Sequence, residues 1–257
     1  MKSTQDIVAG RLSNEGYREN FCDKQDPLDF KTARIEAMRC YYCFDAPCIE
    51  ACPTEIDIPS FIRKIAFQNE KGAAIDILSA NVMGGTCARV CPVETLCENA
   101  CVRNTQEDKP VTIGLLQRYA TDWLFDRNIQ PFSRAASTGK HIAVVGAGPA
   151  GLSCAHRLAL IGHKVTIYEA REKAGGLNEY GLAAYKVVNS WAQREVDFIL
   201  QLGGIEIRYA QALGKNISLS ELRAKHDGVF LGLGLSGTNS LGLTGEDLPG
   251  IYDAVDY

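Results

Sequence analysis

Apolar positions in the first half of the chain recur at helical spacing. Lys31 to Arg39 carries Ala33, Ala37 and Met38 among charges and opens after Pro27 and Asp29. Pro59 starts a second helix with Phe61, Ile62, Ile65 and Ala66 on one face, a position proline favours. Ala73 to Leu78 continues as a third after a break at Gly72. Ile113 to Leu124 forms a fourth, with the stripe Ile113, Leu116, Ala120 and Leu124. Gln117 falls on or beside that stripe. It is either an inward amide that needs partners or a partly exposed residue on the flank.

The pattern changes after Gly139. His141 to Val145 is a short apolar strand, followed by a glycine turn and a helix through about Ile161, where Gly162 stops it. Lys164 to Tyr168 is the next strand. Trp191 to Leu202 has helical spacing and ends at Gly203-Gly204; Ile205 to Tyr209 and Gly228 to Gly232 are further strands. Strands alternating with helices predict a parallel sheet. The expected fold class is therefore α followed by α/β: a helical domain over residues 1–129, a polar linker over 130–139, and a Rossmann-like, doubly wound region over 140–257.

A length of 257 residues agrees with one or two domains, and 46% hydrophobic residues suffice for packed cores. The net charge of −4 argues against nucleic-acid binding by broad phosphate neutralisation. The most apolar stretch, His141 to Gly162, is interrupted by glycines, Pro149, His156 and Arg157, so no membrane span is expected. Met1 to Asn20 shows no apolar export segment, and a cytoplasmic location is expected. Ten cysteines in such a chain should be thiols, and thiols this dense are more often metal ligands than disulfides.

Nine of the ten lie between Cys22 and Cys101, which separates them from the glycine-rich second half. One group is Cys40-x2-Cys43-x4-Cys48-x3-Cys52-Pro53. Another is Cys87-x3-Cys91-Pro92, then Cys97-x3-Cys101. Such spacing lets a loop wrap an inorganic cluster, and a later cysteine reach a neighbouring one. The proline after a group's last cysteine is part of the bacterial ferredoxin run, although x4 here replaces x2. Structural zinc usually takes two C-x2-C pairs; one pair is present, with too many cysteines beside it. Two [4Fe–4S] clusters are the expected cargo. Simple counting uses all eight grouped cysteines, Cys87 included, and leaves out Cys22. Cys154, in the later helix, reads as a small core residue.

Gly146-Ala147-Gly148-Pro149-Ala150-Gly151 follows a strand and opens a helix. The first glycine permits the turn, the second admits a pyrophosphate, and the third lets helix and strand approach. The helix N-terminus offers free N–H groups to phosphate. Glu169 ends the next strand eighteen residues after Gly151, where a carboxylate can accept from ribose hydroxyls. Gly232-x-Gly234-x-x-Gly237 also follows a strand, but no helical pattern comes after it, so it reads as a turn leaving the sheet.

Arg39-Cys40-x2-Cys43, Pro47-Cys48, Ala51-Cys52-Pro53, Cys91-Pro92 and Cys97-Glu98-x2-Cys101, followed by the glycine turn, resemble the iron–sulfur flavoprotein family. That family contains the glutamate synthase small subunit and the N-terminal part of dihydropyrimidine dehydrogenase; the wording of the chain is most similar to its bacterial NAD-dependent dihydropyrimidine dehydrogenase branch. Gly175-Gly176-Leu177 with Tyr180-Gly181 matches its second flavin motif. The resemblance implies that the glycine turn binds FAD. It implies one cluster on Cys40, Cys43, Cys48 and Cys101. The other falls on Cys52, Cys91, Cys97 and, in the pyrimidine branch, a helix glutamine at the position of Gln117. Cys87 stays as the alternative eighth ligand. Lys186 stands where the family often has an arginine near the flavin.

The resemblance further implies an electron-transfer oxidoreductase subunit: NAD(P)H feeds FAD, FAD feeds the clusters, and these feed a partner subunit that reduces pyrimidines. That partner would be an FMN-barrel protein of the dihydropyrimidine dehydrogenase type. A glutamate synthase large subunit is the alternative partner. Family members are longer and insert an NAD(P)-binding domain after the first part of the FAD domain. The chain ends near that exit, with Ile251 to Tyr257 reading as the start of an element, so the FAD domain is expected to be incomplete and the chain a truncated one. An inactive fragment or a cluster-bearing interaction module is the third expectation.

Overall fold

The computed structural model describes residues 12–235, 237 and 239–252. Most of the element from Ile251 to Tyr257 therefore lies outside the described residues. The first part is helical: α1 (Asn14–Asn20), α2 (Phe30–Ala37), α3 (Pro47–Glu50), α4 (Ile58–Ala66), α5 (Glu70–Ala80), α6 (Gly84–Val90), α7 (Asn104–Glu107) and α8 (Ile113–Asp126). Asp57 caps α4 by accepting from the Ser60 N–H at 3.1 Å, and Ile58, Phe61, Ile62, Ile65 and Ala66 are all buried. Gly72, expected as a break, sits inside α5 instead. Asn69 caps that helix and accepts from the Gly72 N–H at 3.0 Å, so the start moves back to Glu70. The side chain of Asn69 folds over Gly72, leaving no space for a Cβ there. Helices α4, α5 and α6 pack around α8, which buries Ile113, Leu116, Ala120 and Leu124 as its stripe predicts.

The second part holds β1 (His141–Val145), α9 (Pro149–Leu160), β2 (Lys164–Tyr168), α10 (Leu177–Tyr180), α11 (Trp191–Gln201), β3 (Ile205–Arg208), α12 (Leu219–Lys225) and β4 (Gly228–Leu231). The strands are all parallel, in the order β3-β2-β1-β4. Alternation along β1 sends Val144 into the core with Leu152 and Ala155 of α9, and sends Ala143 and Val145 towards Leu222 of α12. Helices thus cover both faces, as in the first half of a doubly wound fold. Among the described residues no helix is long and apolar enough to cross a membrane.

Residues 130–139 form neither helix nor strand and are docked along the second part. Gln130 donates to the Phe198 carbonyl at 2.8 Å, and the Phe132 ring meets Phe198 and His156 edge-on. Phe125 of α8 packs on both Trp191 and Phe198 at 4.9 Å between ring centres. One apolar core is continuous from α8 to the sheet. The two parts are therefore joined by packing as well as by chain.

Candidate cofactor sites

Cys40 follows α2, Cys48 lies in the first turn of α3, and Cys101 precedes α7. The structure brings these three and Cys43 around one pocket, walled by Ile58, Ile62, Val111 and Ile113. The Tyr42 backbone takes the left-handed conformation (φ +54°), and its N–H donates to Cys40 Sγ at 3.4 Å. Burial, then the neighbouring thiols of Cys40 and Cys101, push Cys48 up to about 12. Burial likewise raises Cys40, with Cys43 and Cys101 adding to it.

Cys52, Cys87, Cys91 and Cys97 form the second group. Cys87 lies within α6 and Cys91 caps its C-terminus. Burial pushes Cys97 up to about 12 and Cys87 up to about 11; both feel Cys91 and Cys52. The Cys91 thiol is raised by burial and then by Cys52. Of the two candidates for the eighth ligand, Cys87 sits within this group and Gln117 is anchored at the start of the same helix, α6. Cys87 Sγ accepts from Asn81 Nδ2 at 3.2 Å. Gln117 is buried, and its Nε2 donates to the Gly84 carbonyl at 2.7 Å, which fixes the amide plane and leaves the Oε1 lone pairs for a metal or a hydrogen-bond donor. Glu98, passed over in the sequence except as part of a motif, accepts from the Gly114 N–H at 2.9 Å and ties the cysteine loop to the start of α8.

The donor set fits clusters. Burial and neighbouring thiols oppose ionisation of Cys40, Cys48, Cys87, Cys91 and Cys97, and bound iron would reverse this. Among the described residues no three Cys, His, Asp or Glu side chains converge as one metal ion requires. A cubane asks for less convergence, since its thiolates bind separate irons.

The glycine motifs interlock. Gly146 has φ +99°, and a Cβ there would stand 2.2 Å from the Gly232 carbonyl oxygen. A Cβ on Gly151 would stand 1.9 Å from the Gly146 oxygen. The Gly232 N–H donates to the Val145 carbonyl at 2.8 Å, so the turn after β4 closes the third side of the first motif. Among the described residues no helix follows it, as expected. Gly148 caps α9 with Pro149 and Ala150 in its first turn. The second motif leans on the first: Gly175 N–H donates to the Ala147 carbonyl at 2.8 Å, and a Cβ on Gly176 would stand 2.6 Å from Gly148 Cα. Gly175 and Gly176 have φ of +120° and +55°, which only glycine adopts readily. In parallel sheets of this kind, glycine turns at the C-terminal edge receive a dinucleotide's phosphates, and the backbone of this double turn fits that use.

Glu169 is buried and braces this turn. Its carboxylate accepts from the Ala147 N–H at 2.6 Å and the Arg171 N–H at 2.9 Å. Each oxygen can accept once more, which leaves capacity for a hydroxyl. Leu177 opens α10 and is exposed. Lys186 lies beside the Tyr185 ring, in a segment held against residues 21–24 through the Lys24 N–H to Tyr185 carbonyl bond.

A helical domain with two groups of thiols, packed against a half-sheet with interlocked glycine turns, fits the iron–sulfur, Rossmann-type class of protein. Residues 17–129 match the family described as dihydropyrimidine dehydrogenase domain II, 4Fe-4S cluster, and residues 144–180 match the NAD(P)-binding Rossmann-like domain. The chain is 37% identical over 241 residues to the NAD-dependent dihydropyrimidine dehydrogenase subunit PreT of Salmonella typhimurium, covering 93% of this chain and 58% of that protein. It is 33% identical over 239 residues to the glutamate synthase [NADPH] small chain of Escherichia coli, covering 92% and 50%. Among solved structures, Mycobacterium tuberculosis FprA in complex with NADPH matches with a TM-score of 0.41 and 25% identity, over 46% of this chain and 27% of that one. The chain is similar to both subunits along most of its own length, and spans about half the length of each.

Proposed function

We propose that this chain is the iron–sulfur and FAD-binding part of an NAD(P)H-dependent oxidoreductase subunit that passes electrons to a partner subunit reducing pyrimidines. The observation that carries this is the convergence of Cys40, Cys43, Cys48 and Cys101 on one pocket, with Cys52, Cys87, Cys91 and Cys97 close enough to influence one another, in a domain packed against the glycine turns. Cys40, Cys43, Cys48 and Cys101 would hold one cluster; Cys52, Cys91, Cys97 and Gln117 the other. Gly146 to Gly151, Glu169 and Gly175 to Leu177 would hold FAD, with Lys186 near its ring. Bound FAD would take up two electrons as a single hydride and release them one at a time, which is the form a [4Fe–4S] cluster takes up. The residues therefore bind, orient and exclude water; no side chain acts as acid or base.

Protein reconstituted without oxygen should carry about eight irons per chain, two cubanes' worth. Two or fewer, with zinc present, would overturn the reading. Gln117→Leu should then lower iron to about four while Cys87→Ala keeps about eight. The opposite pair of results moves the eighth ligand to Cys87.

A glutamate synthase small-chain role is the second reading, favoured by the 33% identity to that protein. Gln117, buried and anchored, favours the pyrimidine branch. Uracil reduction against glutamate formation, each assayed with the matching partner, separates the two.

A further inference from the structure

Helix α11 touches both candidate sites. From its first turn, Gln193 Nε2 donates to the Ala174 carbonyl and to Glu179, both at 2.9 Å, which fixes the Gly175-Gly176 turn and α10. One turn of helix separates Trp191 from Glu195, and these two side chains grip α6. The Glu195 carboxylate, 1% exposed, accepts from the Thr86 N–H at 2.8 Å and from the Thr86 hydroxyl. The Arg89 guanidinium lies 3.5 Å from the centre of the Trp191 ring. Gly85 presses on that ring so closely that a Cβ would stand 2.3 Å from it. Helix α6 holds Cys87 and ends at Cys91, and Gln117 holds its start from the other side through the Gly84 carbonyl.

A carboxyl group buried this deeply is costly unless its hydrogen bonds are made, and Thr86 of α6 makes two of them, with Arg89 of the same helix nearby. Nothing in the electron-transfer reading needs an acidic side chain at this place. Its geometry does something else: it ties the cluster-bearing helix to the helix that holds the flavin turn.

We propose that α11 is a spacer that sets the distance between the flavin and the second cluster, with Glu195 and Gln193 as its positioning residues. This rests on the function proposed above and deepens it. Electron tunnelling weakens exponentially with separation, so a small shift of α6 slows each one-electron transfer from reduced flavin to oxidised cluster. Glu195 acts through Thr86 on the placement of Cys87 and Cys91, and touches neither cofactor.

Two measurements on the full chain test it. In cofactor-free protein, hydrogen exchange at the amides of residues 86–91 should quicken at least about tenfold in Glu195→Ala, one lost buried bond's worth. In protein carrying both cofactors, photoreduced flavin should pass electrons to the clusters at least tenfold more slowly in Glu195→Ala. Glu195→Gln, which keeps an acceptor for the Thr86 N–H, should recover most of the rate. Should Glu195→Ala fail to fold, Thr86→Val carries the test, with a smaller slowing of several-fold. Native transfer rates in the folded variant overturn the spacer proposal. Failure of the unaltered chain to take up clusters or FAD overturns the function beneath it, a different result.

Discussion

A chain with Cys48→Ser retains about four irons per molecule after anaerobic reconstitution, half the native load. Cys48 is a half-buried thiol that lines one pocket with Cys40, Cys43 and Cys101, and burial, then Cys40 and Cys101, oppose its ionisation. Serine offers a hydroxyl where a soft thiolate is wanted, and the remaining three sulfurs hold a cubane poorly. The second group, built on α6 and the loop around Cys97, shares no ligand with the first and keeps its iron. Iron and sulfide assays, with the electron paramagnetic resonance of the reduced protein, check the outcome. Cys22→Ser and Cys154→Ser serve as controls. Both cysteines lie outside the two groups, so both variants should carry the full load. A Cys48→Ser chain with undiminished iron would remove Cys48 from the ligand set.

Gly176→Ala should lose FAD while keeping iron. Its φ of +55° disfavours alanine, and the new Cβ would meet Gly148 Cα at 2.6 Å. The added methyl must wedge the second glycine turn off the first, at the capping residue of α9. A strain of about 1–3 kcal/mol there corresponds to a loss of flavin affinity of about fivefold to 150-fold. Flavin retained through gel filtration measures it. Gly139→Ala is the control: its φ is +73° but a Cβ there meets nothing within 4 Å, so it isolates backbone strain from the clash. Equal flavin loss in both variants would show that the interlock of the turns is irrelevant to binding.

The glycine fingerprint and the cysteine spacing were legible because each is a local requirement. A turn that must approach phosphate admits only glycine, and a loop that must wrap a cluster needs closely spaced thiols. Helices α2, α4, α8, α9 and α11 and all four strands follow from periodicity, with ends shifted by a few residues where caps such as Asp57 and Asn69 decide. Helix α6 was not legible. It begins Gly84-Gly85, residues that disfavour a helix interior, and it forms because Trp191 and Gln117 hold it from two sides. Gly72 misled for the reverse reason, as its helix is started three residues earlier by a side-chain cap.

Residue identity alone thus determined the chemistry this chain can hold: clustered sulfur in one half and a phosphate-receiving turn in the other. Which thiols share a pocket, how Gly232 and Gly176 close on the first glycine turn, and that Glu195 reaches Thr86 were decided only by folding. These pairings join residues up to 109 positions apart. No periodicity or spacing encodes such a contact; it arises when the two apolar faces meet and the buried polar groups between them must find one another.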